Sequence, residues 1–114
     1  MELGGKSPQI VFEDANLEKA LPFLINAGIQ NAGQTCSASS RILVSKKIYA
    51  ELIDKMSKLY CKLKVAQAID DKDLGPVISC RQREIITNYL KLSKDLECIS
   101  EGKFETNLPK KGYY

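Results

Sequence analysis

The chain has no histidine and no tryptophan. Histidine is the commonest general base near neutral pH and the commonest metal ligand, so both roles must fall elsewhere or go unfilled. Its four cysteines stand far apart, at 36, 61, 80 and 98, with no C-x-x-C among them. That removes the ligand spacing of a zinc site, and no metal is expected. No apolar run reaches the length of about eighteen residues that a membrane-spanning helix needs, and no signal-peptide pattern opens the chain. Like charges form only pairs, Lys46-Lys47 and Lys110-Lys111, within a net charge of +3. Tails that bind nucleic acid carry longer blocks. There is no internal repeat and no glycine-rich G-x-G-x-x-G loop to cradle a dinucleotide. These absences lead us to expect a cytoplasmic chain with reduced thiols and neither nucleic-acid nor membrane partners.

What remains is 114 residues of ordinary globular composition, enough for one domain at most. Ser7 to Phe12 reads as a short buried strand. Asn16 is placed to cap a helix beginning at Leu17. Pro22 should break or kink that helix at Leu21 and open a second one, about residues 22–31, apolar around most of its circumference. Residues 41–45 read as a second strand. A helix over 47–62 carries Ile48, Leu52, Ile53, Met56, Leu59, Tyr60 and Leu63 at helical spacing. A loop over 70–76 precedes a third helix, about 80–96, with Ile85, Ile86, Tyr89, Leu90 and Leu92 on one face. Glu97-Cys98-Ile99 is a candidate strand, and residues 100–111 are polar and rich in turn formers. This order predicts an α/β fold with helices packed on a sheet.

One stretch organises the rest: Asn31-Ala32-Gly33-Gln34-Thr35-Cys36-Ser37-Ala38-Ser39-Ser40-Arg41. Small and polar residues surround a single thiol between a helical pattern and a β-branched run. That is how a fold presents a nucleophile. Gly33 frees the backbone to turn, and N–H groups after the turn are available to an oxyanion. The second stretch is Glu2-Leu3-Gly4-Gly5-Lys6-Ser7-Pro8, a carboxylate beside two glycines. Together they resemble the paired signatures of the aldehyde dehydrogenase superfamily. The first is similar to its E-L-G-G-K-S-P glutamate motif. The second is similar to G-Q-x-C-x-A-x-x-R, matched at Gly33, Gln34, Cys36, Ala38 and Arg41. Glu2 and Cys36 are 34 residues apart, as in many members. Leu74-Gly75-Pro76-Val77-Ile78-Ser79 resembles a further L-G-P-x-I-S segment. Ser39 departs from the glycine common at its position, which adds a side chain without touching the nucleophile.

The resemblance implies a partial catalytic domain over residues 1–114, an open and largely parallel α/β sheet with packed helices. It implies an NAD(P)-dependent oxidation of a small aldehyde to a carboxylic acid. Cys36 would be the nucleophile, passing through a thiohemiacetal and a thioester. Glu2 would be the general base for the hydrolytic water. Leu3 and Gly4 would lie near the nicotinamide, and Gln34 and Thr35 would line the walls around the sulfur. The cofactor-binding domain would precede Glu2, so the cofactor, NAD or NADP, would bind outside this chain, and a full-length enzyme would be a homodimer or homotetramer. Both ends look cut within structure. The isolated chain is accordingly expected to be inactive, an excised piece or the product of a broken gene.

Other readings compete with this one. A buried cysteine is usually an inert small hydrophobe, and that reading suits Cys61, Cys80 and Cys98 better than Cys36. Arg41 reads as a structural ion-pair partner rather than a substrate ligand. Lys6 is equally a surface charge or a site residue. The whole chain could be a non-catalytic remnant acting as a structural or interaction module. It could come from an acylating relative in which a thiol replaces water, although such relatives often lack the glutamate. A weakly basic nucleic-acid binder rests on net charge alone.

Overall fold

A computed structural model describes residues 4–109 and 111–114. Strand β1 (Pro8–Val11) leads to helix α1 (Leu17–Ile29) and then to strand β2 (Arg41–Val44). Helix α2 (Tyr49–Tyr60), strand β3 (Lys64–Val65), helix α3 (Cys80–Leu92) and strand β4 (Lys103–Phe104) follow. β1 and β2 pair in parallel, in register from Pro8 opposite Arg41 to Val11 opposite Val44. Parallel strands need a long crossover, and α1 supplies it. β3 and β4 are also parallel, and Leu74 bridges to Val65. The expected α/β class with parallel pairing is what forms.

The core sits where α1 and α2 meet the inner face of β1 and β2. Val11, Leu17, Leu21, Leu24, Ile25, Leu52 and Met56 form its buried centre. On α1 the buried positions 17, 21, 24 and 25 trace a single stripe. The Asn16 side chain accepts a hydrogen bond from the Lys19 N–H and starts the helix. Lys55 on α2 pairs with Glu18 on α1 across the solvent rim of this contact.

The expected break at Pro22 does not occur: α1 runs unbroken through it. Proline in a helix interior costs about 3 kcal/mol. Burying one leucine contributes roughly 1.5–3 kcal/mol, and four buried side chains hold this stripe against the core. Packing therefore outweighs the missing N–H. Neither is the helix buried on several sides, because Phe23 is 77% exposed.

Other boundaries shift too. β1 is shorter than residues 7–12, and only Val11 in it is buried. A short turn of helix at Lys46–Ile48 precedes α2. α3 stops at Leu92, and its apolar face is unpartnered, with Tyr89 69% exposed. Residues 97–99 form no strand. The strand pairing falls instead on Lys103–Phe104, inside the segment read as turns only. Two-residue strands have no periodicity to detect, and their partner is supplied by the distant Lys64–Val65. The Cα radius of gyration is 15.1 Å, against about 13 Å for a compact domain of similar length. No helix among the described residues is long and apolar enough to cross a membrane.

Candidate active site

Helix α1 ends in a turn of the opposite hand. Asn31 (φ 50°, ψ 41°) and Ala32 (φ 55°, ψ 35°) are left-handed, and Gly33 follows at φ 75°. Glycine takes this geometry freely and asparagine tolerates it, but for alanine it costs roughly 1–2 kcal/mol. Hydrogen bonds hold the turn closed. The Gln34 N–H donates to the Asn31 carbonyl at 3.1 Å, and Gln34 Nε2 donates to the same oxygen at 3.0 Å. Asn31 Nδ2 donates back to the Gln34 carbonyl at 3.4 Å. Beyond the thiol, the Ala38 N–H donates to the Thr35 carbonyl at 3.1 Å, and the Ser39 N–H reaches the Ala27 carbonyl of α1 at 3.0 Å. Ala38 is buried beneath the turn, whereas Cys36 is exposed. Among the described residues the Cys36 N–H has no hydrogen-bond partner.

The N-terminal stretch meets this turn from the other side. Gly4, Gly5 and Lys6 all have positive φ, at 72°, 79° and 62°. Lys6 Nζ donates to the Gly4 carbonyl at 3.1 Å. The Arg41 guanidinium donates to the Lys6 carbonyl, with Nε at 2.9 Å. Ser7 Oγ donates to the Cys36 carbonyl at 3.2 Å. The parallel register brings this about: Pro8 stands opposite Arg41, so the segments before both strands leave the same end of the sheet. Glu2 and Leu3 lie outside the described residues. Gly4 is exposed, with nothing within 4 Å of where a side chain would begin.

The remaining candidates fall in distinct places. Thr35, next to Cys36 in the chain, has its Oγ1 buried without a hydrogen-bond partner among the described residues. Gln34 borders a cleft with Asn31, Pro76 and Ile78, and its Oε1 accepts from the Ile78 N–H at 2.9 Å. Arg41 is structural as expected, but it grips a backbone carbonyl rather than an acid. Ser7 was not singled out by sequence, and the register of two parallel strands is the signal that would have found it. The other cysteines are not core residues: Cys61 and Cys98 are exposed and Cys80 is half-buried, its thiol 3.4 Å from Glu84. All three lie at or beyond a helix end, where a partner face is lacking. Among the described residues no cluster of acids and cysteines is placed to hold a metal. An apolar cavity of about 270 Å³ lies between β2 and α2, lined by residues such as Ile42, Met56 and Tyr60, but no residue of the cysteine turn lines it.

A model described as the aldehyde dehydrogenase family matches residues 1–114. The chloroplastic betaine aldehyde dehydrogenase of Atriplex hortensis is 38% identical over 117 aligned residues, covering 100% of this chain and 23% of that protein. A Burkholderia cenocepacia protein, provisionally named an aldehyde dehydrogenase, superposes with a TM-score of 0.96 at 40% identity, over 99% of this chain and 24% of that one. The NAD⁺ complex of betaine aldehyde dehydrogenase from Staphylococcus aureus gives a TM-score of 0.77 at 41% identity, over 82% of this chain and 19% of that one. The chain spans about a fifth of the length of the curated relatives it matches.

Proposed function

This chain belongs to the aldehyde dehydrogenase family, and from that premise we propose that it carries the nucleophile and the general base of an enzyme oxidising a small aldehyde to a carboxylic acid. Residues 1–114 are read as one part of the catalytic domain. The observation that supports this reading is the meeting of its two motif stretches at one end of the sheet, through Ser7 to Cys36 and Arg41 to Lys6. A thiol exposed at the tip of a rigid, hydrogen-bonded turn can reach a substrate carbon without the turn reorganising.

In the proposed reaction Cys36 gives up its thiol proton to Glu2, Sγ attacks the aldehyde carbon, and the C=O π pair moves to oxygen to form a thiohemiacetal. The Cys36 N–H, free of other partners among the described residues, donates to the oxygen that gains charge. NAD or NADP, when bound, would supply the acceptor for the hydride that leaves the substrate carbon. Leu3 and Gly4 would lie near that cofactor's ring, as the family resemblance implies, and Gly4 is exposed with nothing within 4 Å of where a side chain would begin. Glu2 then takes a proton from the water that attacks the thioester, the C–S bond breaks, and the carboxylic acid leaves as the Cys36 sulfur is regenerated. An ordinary carboxylate is a weak base, so Glu2 works best where burial raises its pKa. Thr35 and Gln34 wall the thiol, and among the described residues the buried Thr35 hydroxyl has no hydrogen-bond partner.

Several relatives are named for betaine aldehyde, and the substrate proposed here is the wider class of small aldehydes. The reading extends to a cytoplasmic homodimer or homotetramer as the working enzyme. The 114 residues alone do not turn over, because their sequence holds no glycine-rich dinucleotide loop. The test is competitive labelling with limiting iodoacetamide, read by mass spectrometry. Cys61 and Cys98 are exposed like Cys36, so access alone would label all three equally. Faster labelling of Cys36 is the expected result. Equal rates would remove the support for an activated nucleophile.

A further inference from the structure

The Gln34 side chain spends both ends of its amide on the protein. Nε2 donates to the Asn31 carbonyl at 3.0 Å, across the left-handed turn. Oε1 accepts from the Ile78 N–H at 2.9 Å, 44 residues further along the chain. The segment that it grips is held from its other side as well, since the Val77 N–H donates to the Tyr113 carbonyl at 2.9 Å. A single amide thus joins the turn that carries the thiol to the Leu74–Ser79 segment and, through that, to Tyr113. One donor and one acceptor site of the amide stay free, but its two bonds to the protein fix where the side chain stands.

The geometry points to Gln34 as a positioning residue: it locks the strained Asn31–Gly33 turn and couples Cys36 to the Leu74–Ser79 segment. The turn contains an alanine in a backbone conformation that alanine disfavours. Such a turn persists only when its surroundings over-determine it. Three of its hydrogen bonds involve Gln34 or answer it from Asn31, while the Ile78 bond fixes the turn against a distant segment. Loss of the Gln34 amide should therefore free two places at once: the Ile78 backbone and the environment of the Cys36 sulfur. This inference rests on Cys36 being the reactive thiol, and the experiment separates the two claims.

Gln34→Met keeps the length and shape of the side chain and removes both bonds. Gln34→Glu keeps the acceptor facing Ile78 and removes the donor facing Asn31. Amide hydrogen exchange at Ile78 and the alkylation rate of Cys36 relative to Cys98 are measured in the 114-residue chain, with circular dichroism to establish that each variant keeps its helices. With Gln34→Met, Ile78 should exchange about fivefold faster, the ratio expected for one lost neutral hydrogen bond, and the Cys36 rate should fall towards that of Cys98. With Gln34→Glu, Ile78 should keep its protection while the Cys36 rate still falls. A native-like Gln34→Met chain with Ile78 exchange unchanged overturns the inference. So does faster Ile78 exchange with Cys36 unaffected, because the bond would then carry no coupling. If Cys36 in the parent chain reacts no faster than Cys98, the catalytic reading fails instead, and Ile78 exchange still reports on the lock.

Discussion

The guanidinium of Arg41 closes on the backbone carbonyl of Lys6, 35 residues earlier in the chain. Arg41 is the last matched residue of the cysteine stretch, and Lys6 belongs to the glutamate stretch. Two donors of one planar fork meet one oxygen, so the contact fixes direction as well as distance. Ser7 repeats the connection one residue later through the Cys36 carbonyl. The proposed site is thus assembled by side chains gripping backbone, which makes it sensitive to side chains that never touch a substrate.

Arg41→Ala should lower stability by about 1–2 kcal/mol, less than the roughly 1.5–3 kcal/mol typical of a hydrogen bond to a charged group, because the site is exposed. Arg41→Lys keeps the charge but cannot fork, and it should recover no more than about half of that loss. Urea midpoints of the two variants provide the measurement. Full recovery by lysine would mean that charge alone, and not the fork, holds the Lys6 carbonyl.

Ala32 offers the opposite sign. At φ 55° it pays a steric cost that glycine avoids. Ala32→Gly also loosens the unfolded chain, which costs about 0.4–1 kcal/mol. The net expectation is a gain between zero and about 1.6 kcal/mol, visible as a small rise in melting temperature. A clear loss would show that the turn is not left-handed at this residue.

Leu52 is 1% exposed, at the centre of the contact between α2, α1 and β1. Leu52→Ala leaves a cavity there and should cost about 2–5 kcal/mol. Domains of this size have a total stability of only about 5–15 kcal/mol, and this one packs a single small core. The variant should therefore lose a large share of its stability, seen as a clearly lower urea midpoint. An unchanged urea midpoint would place the core elsewhere.

Much of this was legible in the sequence, for a reason that individual residues make plain. The stripes of α1 and α2 repeat at helical spacing, so Leu17, Leu21, Leu52 and Met56 declare themselves. The Cys36 turn is visible because its composition suits neither helix nor strand. Pro22 misleads because a local cost of about 3 kcal/mol is set against packing that no local rule weighs. β3 and β4 are hidden because two-residue strands exist only through their pairing. The roles of Gln34 and Arg41 were hidden similarly: each side chain meets a backbone group 35 residues or more away, at Ile78 and at Lys6.

Tyr60 gives the chain a dependence on alkaline pH. Its ring is half-buried against the apolar cavity beside β2, and a side chain begun at Gly28 would stand 3.3 Å from its hydroxyl. Burial disfavours the phenolate and raises its pKa above the ordinary 10.0. The folded chain therefore holds this proton more tightly than the unfolded chain. The resulting stability is fully present below pH 10, the unfolded value, and is lost as pH rises through the higher folded value. Melting temperatures from pH 8 to pH 11 should fall more steeply for the parent chain than for Tyr60→Phe, in which the ring stays and the titration is gone. Every other titrating group is common to the two proteins and cancels in the difference. Parallel curves would mean that the hydroxyl titrates as freely in the folded chain as in the unfolded one.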